Sequence, residues 1–322
     1  MSYTVLGAFD EFRTIVDADP AIVTLARERR DTFKRALMKE SDVLAVWGSG
    51  SLRRSTQLQP VHDVDLVVEF DAASQPDWNQ PGSSAADALE HAKGIVQRRL
   101  SVNGGTDNQL VRRIDTAGRN RSSKCFVDDP EDENAFTVDV MPALRQADGT
   151  IRIPAARASG WSTADPEYLI EEVQARQDAW DKFRSNVRLL KKWSKLQAPS
   201  LEIKSLVMEV LALDSLVEAP NTPQALRSFF VAASSHSLSI EDPAGHCGLI
   251  QPDLDVSAFR AALEEAAVNA DAAMKRAAAG DQDGAGDYWH SVFGPEFRTS
   301  PDVVAGGSAA IVARPVVDSP QG

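Results

Sequence analysis

Two aspartates one residue apart, Asp63 and Asp65, stand at the head of the apolar run Leu66-Val67-Val68. On a strand, alternate side chains share a face, so the two carboxylates point the same way. Carboxylates held side by side repel each other and lose hydration unless a cation lies between them. Upstream, the apolar run Val43-Leu44-Ala45-Val46-Trp47 leads into Gly50-Ser51-Leu52-Arg53-Arg54-Ser55-Thr56, a short polar turn. Its backbone N–H groups and serine hydroxyl suit an anion such as a phosphate. Metal-binding carboxylates beside a phosphate-binding turn point to metal-assisted phosphoryl or nucleotidyl transfer.

Such a site usually takes a further carboxylate from a neighbouring strand. The run Ala135-Phe136-Thr137-Val138-Asp139-Val140-Met141-Pro142 carries a single acid, Asp139, in an apolar stretch that the proline is expected to end. An edge-strand aspartate facing water is the simpler alternative; the Asp63/Asp65 pair favours the catalytic one.

With these residues in place the chain resembles the polymerase-β-like nucleotidyltransferases, and more narrowly the bacterial cGAS/DncV-like nucleotidyltransferases (CD-NTases). Their pattern is Gly-Ser, three residues, Gly-Thr, and an Asp-x-Asp thirteen residues after the first glycine. Gly50 and Asp63 keep that spacing, and Ser55 stands where the family usually has glycine. Further similarity lies in Gly160-Trp161-Ser162-Thr163-Ala164-Asp165-Pro166, Arg188-Leu189-Leu190-Lys191-Lys192-Trp193 and Ser205-Leu206-Val207-Met208-Glu209-Val210-Leu211. Asp242-Pro243 and Tyr288-Trp289 through Phe293-Gly294 fit the closing segments, so the resemblance covers roughly residues 10 to 295.

The resemblance implies a site. Asp63, Asp65 and Asp139 would hold two Mg²⁺ ions, with Mn²⁺ as a substitute, and Asp139 would also take the proton of the attacking hydroxyl. Gly50, Ser51, Lys191 and Ser205 would bind the donor triphosphate. The implied reaction joins NTPs into a cyclic di- or trinucleotide second messenger for anti-phage (CBASS) signalling, acting through a separate downstream effector. Two alternatives stand beside it: a nucleotidyltransferase that modifies RNA, a protein or a small molecule, and a nucleotide-binding regulator without turnover. Some relatives are joined to targets through a C-terminal glycine by E1/E2-like proteins, an expectation that falls here on Gly322.

Other polar residues are read more plainly. Arg184, Arg188, Lys191 and Lys195 recur at helical spacing, and spacing alone makes them a solvated face. Arg119 and Arg121 sit in a turn and are expected to be exposed, with contact to an acceptor phosphate as the alternative. Thr56, Gln57 and Gln59 either line the site or belong to the loop. His62 should face away from Asp63. Trp193 is expected in the core, and the acidic run 128–133 is expected to be an exposed turn.

The elements that position these groups follow from periodicity. Residues 8–40 read as one or two amphipathic helices broken at Asp19-Pro20; 43–70 as strand, turn and strand; 71–83 as loop; 84–101 as helix. Strands are expected at 109–112 and 124–127, and helices near 165–197, 200–217, 221–236 and 253–279. The expected architecture is an α/β (α+β) nucleotidyltransferase lobe with a mixed sheet, residues 1–160 with the N-terminal helix, and an all-helical lobe, 161–295. The active site is expected in the cleft between them, and a flexible tail over 296–322.

Composition bounds the partners. The net charge of −13 argues against a duplex nucleic acid, which needs a basic surface, but not against small nucleotides in a local basic pocket. Two cysteines and five scattered histidines form no framework and no zinc-ligand spacing. Without an evident signal peptide or a membrane-length apolar run, a reducing cytoplasm is expected and no membrane contact.

Overall fold

The computed structural model describes residues 3–300. Gly322 and most of the expected tail, 301–322, lie outside the described residues. The chain divides into two compact units, and one of its crossings between them falls within a helix, Pro166–Ala179.

The sheet unit comprises residues 19–171 with 244–247. It opens with α2 (Pro20–Leu37); α1 (Val5–Val16) belongs to the other unit. Asp19 accepts from Ala21 N at 2.7 Å and Pro20 takes the first helical position, which produces the expected break. Next come β1 (Val43–Ser49), the single-turn helix α3 (Gly50–Arg54) and β2 (Asp63–Phe70). Helix α4 (Ser84–Leu100) buries Ala85, Ala88, Leu89, Ala92, Ile95 and Val96, one face at helical spacing. Strands β3 (Arg113–Asp115), β4 (Ser123–Phe126), β5 (Thr137–Arg145), β6 (Ile151–Ala155) and β7 (Gly160–Ala164) complete the unit.

The seven strands form a mixed sheet in the order β1-β2-β5-β4-β3, with β6 and β7 continuing from the far end of β5. Only β2 and β5 run parallel; the other pairs are antiparallel. β2 is an interior strand between β1 and β5, and Leu66, Val67 and Val68 are all buried, as a strand covered on both faces requires.

Four sequence expectations in this unit are corrected. Pro142 does not end its strand: β5 pairs with β4 up to Val140 and with β6 from Leu144, so Pro142 sits between the two partners on that side. The strand expected at 109–112 begins instead at Arg113, because Leu110 and Val111 donate their N–H groups to Leu100 O at the end of α4. β6 and β7 were not expected as strands. The segment expected as one lobe, 1–160, loses its first helix to the other unit.

The helical unit comprises residues 3–18, 172–243 and 248–300. Its α1 (Val5–Val16) buries Phe9 and Phe12 against Trp289, Phe293 and Phe297, with ring centroids 4.8–5.8 Å apart. The remaining helices are α5 (Pro166–Ala179), α6 (Phe183–Lys195), α7 (Ser205–Ser215), α8 (Thr222–Ser234), α9 (Val256–Ala278) and α10 (Gln282–Phe293). The single helix expected over 165–197 is two. Gln177 bridges the break, its amide donating to Asp181 O at 2.7 Å and accepting from Arg184 N at 3.0 Å. Trp193 is in the core, edge-on to Phe230 at 5.1 Å. No described helix is long and apolar enough to cross a membrane.

Candidate active site

Sheet register sets the site. Ser49 pairs with Asp65, Asp65 with Asp139, Asp139 with Lys124, and Lys124 with Asp115. These five residues therefore form one rank across five strands, their side chains on a common face. Asp63 lies one alternate position back along β2, on that same face. Parallel pairing of β2 with β5 thus brings together Asp139 and the Asp63/Asp65 pair, which are distant in sequence.

The turn beside them is built tightly against Asp65. Gly50 has φ +65°, and a β-carbon placed there would lie 1.6 Å from Asp65 Oδ2 and 2.6 Å from its Cγ. Only glycine satisfies both the backbone conformation and the space. Ser51 follows in α3, whose end is capped by Ser55 in the left-handed conformation, φ 58° and ψ 37°. The turn thus uses at Ser55 the backbone state that glycine adopts most easily. Thr56 is fully buried. Gln59 accepts from Asp19 N at 3.1 Å and so serves the start of α2 rather than the carboxylates.

Asp139 is held by a residue expected to be exposed. Arg119, from the turn joining β3 and β4, is only 9 % exposed and donates Nη2 to both carboxylate oxygens, at 3.1 and 2.9 Å. The turn folds back over the sheet, which corrects the reading of Arg119 as a solvent-facing turn residue. Lys124, the cross-strand neighbour, is a second cation at this carboxylate and was not singled out from the sequence. Burial pushes the Asp139 carboxyl above the usual carboxylate range and Asp63 adds to the rise, while Arg119, Lys124 and Ser122 pull against it. A carboxylate raised in this way is better matched to accepting a proton near neutral pH.

The family profile described as Second Messenger Oligonucleotide or Dinucleotide Synthetase domain matches residues 4–177, more than half the chain. The chain belongs to this family, the bacterial cGAS/DncV-like nucleotidyltransferases. It is an enzyme of the cyclic oligonucleotide synthase kind. A curated relative, the cyclic AMP-AMP-AMP synthase of Escherichia coli (strain MS 115-1), is 26 % identical over 295 residues, covering 78 % of this chain and 82 % of the relative. The solved structure of E. coli MS115-1 CdnC with ATP superposes with a TM-score of 0.70 at 20 % identity, covering 91 % of this chain and 98 % of that one. Vibrio cholerae DncV, a cyclic AMP-GMP synthase, gives a TM-score of 0.57 at 13 % identity, covering 91 % and 87 %. At these identities the solved structures establish the fold.

The metal ions expected for a cGAS/DncV-like nucleotidyltransferase can be tested against the side chains. Three carboxylates on one sheet face form an all-oxygen donor set, which suits Mg²⁺ in charge and hardness. Among the described residues no three acid, histidine or cysteine side chains converge as they do around a bound ion. Asp139 explains part of this, since both its oxygens are engaged by Arg119. The donors fit in type and in face, with Asp65 and Asp139 at one level.

The two triphosphate residues expected from the family lie in the helical unit. Lys191 on α6 is 3 % exposed, with its ammonium 2.8 Å from Glu209 of α7, itself 1 % exposed. Ser205 is the first residue of α7 and is partly exposed. The basic stripe of α6 is not a bare solvated face: Arg188 donates to Asp17 at 2.6 Å and Arg184 to Gln174 at 2.6 Å.

Proposed function

We propose that this nucleotidyltransferase is a Mg²⁺-dependent synthase that joins nucleoside triphosphates into a cyclic di- or trinucleotide second messenger for anti-phage (CBASS) signalling in the cytoplasm. The observation that carries the proposal is the rank that sets Asp65 beside Asp139, with Asp63 on the same face.

In this reading Asp63, Asp65 and Asp139 hold two Mg²⁺ ions, with Mn²⁺ as a substitute. Bound there, Mg²⁺ supplies neutralisation of the charge that develops on the transferring phosphate and on the leaving pyrophosphate. Gly50 and Ser51 take the donor's β- and γ-phosphates. Because Gly50 packs directly on Asp65, the turn fixes phosphates and carboxylates relative to each other. Lys191 and Ser205 are the proposed triphosphate contacts of the helical unit, with Glu209 sharing the Lys191 ammonium.

Asp139 accepts the proton of a ribose hydroxyl on the second nucleotide. The hydroxyl oxygen bonds to the donor's α-phosphorus, and the bond to pyrophosphate breaks. The linear product, turned round in the same site, is closed by a final transfer that releases the last pyrophosphate, and the ring passes to a separate effector. The name of the E. coli relative makes ATP the first substrate to try. The test is pyrophosphate release from NTPs with Mg²⁺, compared with and without chelator. Release that survives chelation, or that persists in Asp63→Asn/Asp65→Asn, removes the proposal.

A further inference from the structure

Arg119 is an unusual guest in a site built for cations. It reaches Asp139 from the β3–β4 turn, and one terminal nitrogen bonds both carboxylate oxygens, at 3.1 and 2.9 Å. The same nitrogen lies 3.4 Å from Ser122 Oγ. The guanidinium is nine-tenths buried, yet its Nε–H has no hydrogen-bond partner among the described residues. A buried unpartnered donor costs free energy, and a buried charge persists only where a partner compensates it. Asp139 is that partner. Arg119 is therefore in place because of the carboxylate, and its Nε–H is unspent.

The other neighbours of Asp139 sharpen the point. Across β4 stands Lys124, and across β2 stands Asp65, in the rank that places all three on one face. The carboxylate thus sits between an acidic side, where a metal ion belongs, and a basic side that already neutralises it. Each oxygen keeps a further lone pair, but the guanidinium charge beside it weakens the carboxylate's attraction for an ion.

We propose that Arg119 is the resident counter-cation of Asp139 and competes with the divalent ion for this carboxylate. This rests on the reading of Asp139 as a metal ligand. Full engagement of Asp139 then requires a ligand able to draw Arg119 away, and a phosphate oxyanion of the incoming nucleotide is the natural one. A guanidinium has five donors in a planar fork, so it can exchange a carboxylate for a phosphate without leaving its charge unpaired. Arg119 in this account is a positioning residue: it sets when Asp139 is available.

The test uses the full chain without nucleotide, titrated with Mn²⁺ and read by the electron paramagnetic resonance signal of the free ion. Arg119→Gln is expected to bind Mn²⁺ about tenfold more tightly than the unaltered chain, the scale on which an adjacent arginine weakens a carboxylate's hold on a cation as small as the proton. The gain should vanish in the Asp139→Asn background, which a merely structural role of Arg119 does not require. Arg119→Lys keeps the charge without the fork and should show a smaller gain; if Arg119→Gln does not fold, a gain in Arg119→Lys supports the proposal and an unchanged affinity overturns it. Equal affinity in the unaltered chain and Arg119→Gln overturns the competition while leaving the carboxylate site standing. Absence of Mn²⁺ binding in every chain overturns both.

Discussion

Replacing Gly50 with alanine should disable the site without unfolding the chain. The added carbon would lie 1.6 Å from Asp65 Oδ2 and 2.6 Å from its Cγ. Non-bonded contact needs roughly 3.3 Å or more, so the carboxylate must move by roughly 1.5–2 Å. A misplacement of about 1 Å in a catalytic group costs on the order of 100-fold in rate, which sets the expected loss at about 100-fold or more. The backbone contributes separately: φ is +65° at Gly50, and a left-handed alanine costs about 1–2 kcal/mol. Gly149 separates the two effects. Its φ is +92° and nothing lies within 4 Å of an added carbon, so Gly149→Ala should carry the backbone cost alone. Pyrophosphate release and the urea midpoint would be measured for both variants. Folded Gly50→Ala that keeps more than a third of the activity, or an equal loss in Gly149→Ala, would refute the reasoning.

Three further outcomes follow from local geometry. Ser55 is left-handed at φ 58°, so Ser55→Gly should raise stability by about 1 kcal/mol in urea unfolding, and a loss of stability would contradict this. Removing Glu209 takes away the carboxylate 2.8 Å from the buried Lys191 ammonium; Glu209→Ala should cost about 3–5 kcal/mol, most of it recovered in Lys191→Met/Glu209→Leu. A cost under about 1 kcal/mol in chemical denaturation would count against that pair. Burial holds the Cys125 thiol well above its ordinary pKa, so it should resist a thiol-labelling reagent at mildly alkaline pH until the chain unfolds; labelling at the same rate in the native chain would contradict its placement.

The local parts of the site were legible and the long-range parts were not. Asp63 and Asp65 share a face because strand side chains alternate, which any strand there would enforce. Gly50 was legible as a turn residue, but its contact with Asp65 depends on how β1 pairs with β2. Asp139 was legible as an acid in an apolar run, whereas its place beside Asp65 comes from parallel pairing between segments far apart in the chain. Arg119 was misread because polar turns usually face water; this one folds over the sheet, and only the register of β3, β4 and β5 determines that. Lys124 was hidden for the same reason. Pro142 misled because a proline forbids one ladder bond, and the exchange of partners from β4 to β6 removes the need for that bond on one side. The helix break at Trp180 has no proline or glycine to mark it, and the glutamine side chain that bridges it is one polar residue among many. Lys191 and Ser205 were singled out by family resemblance, and no helical periodicity would have distinguished Lys191 from its neighbours or revealed Glu209 beneath it.

The most direct test of the central claim is the product itself. The purified chain would be incubated with all four NTPs and Mg²⁺, then Mn²⁺, treated with phosphatase and analysed by mass spectrometry. A phosphatase-resistant cyclic nucleotide, made by the unaltered chain and absent from Asp63→Asn/Asp65→Asn, is the result this account predicts. The same species in the Asp63→Asn/Asp65→Asn chain, or only linear or macromolecule-linked nucleotide from the unaltered one, would contradict it.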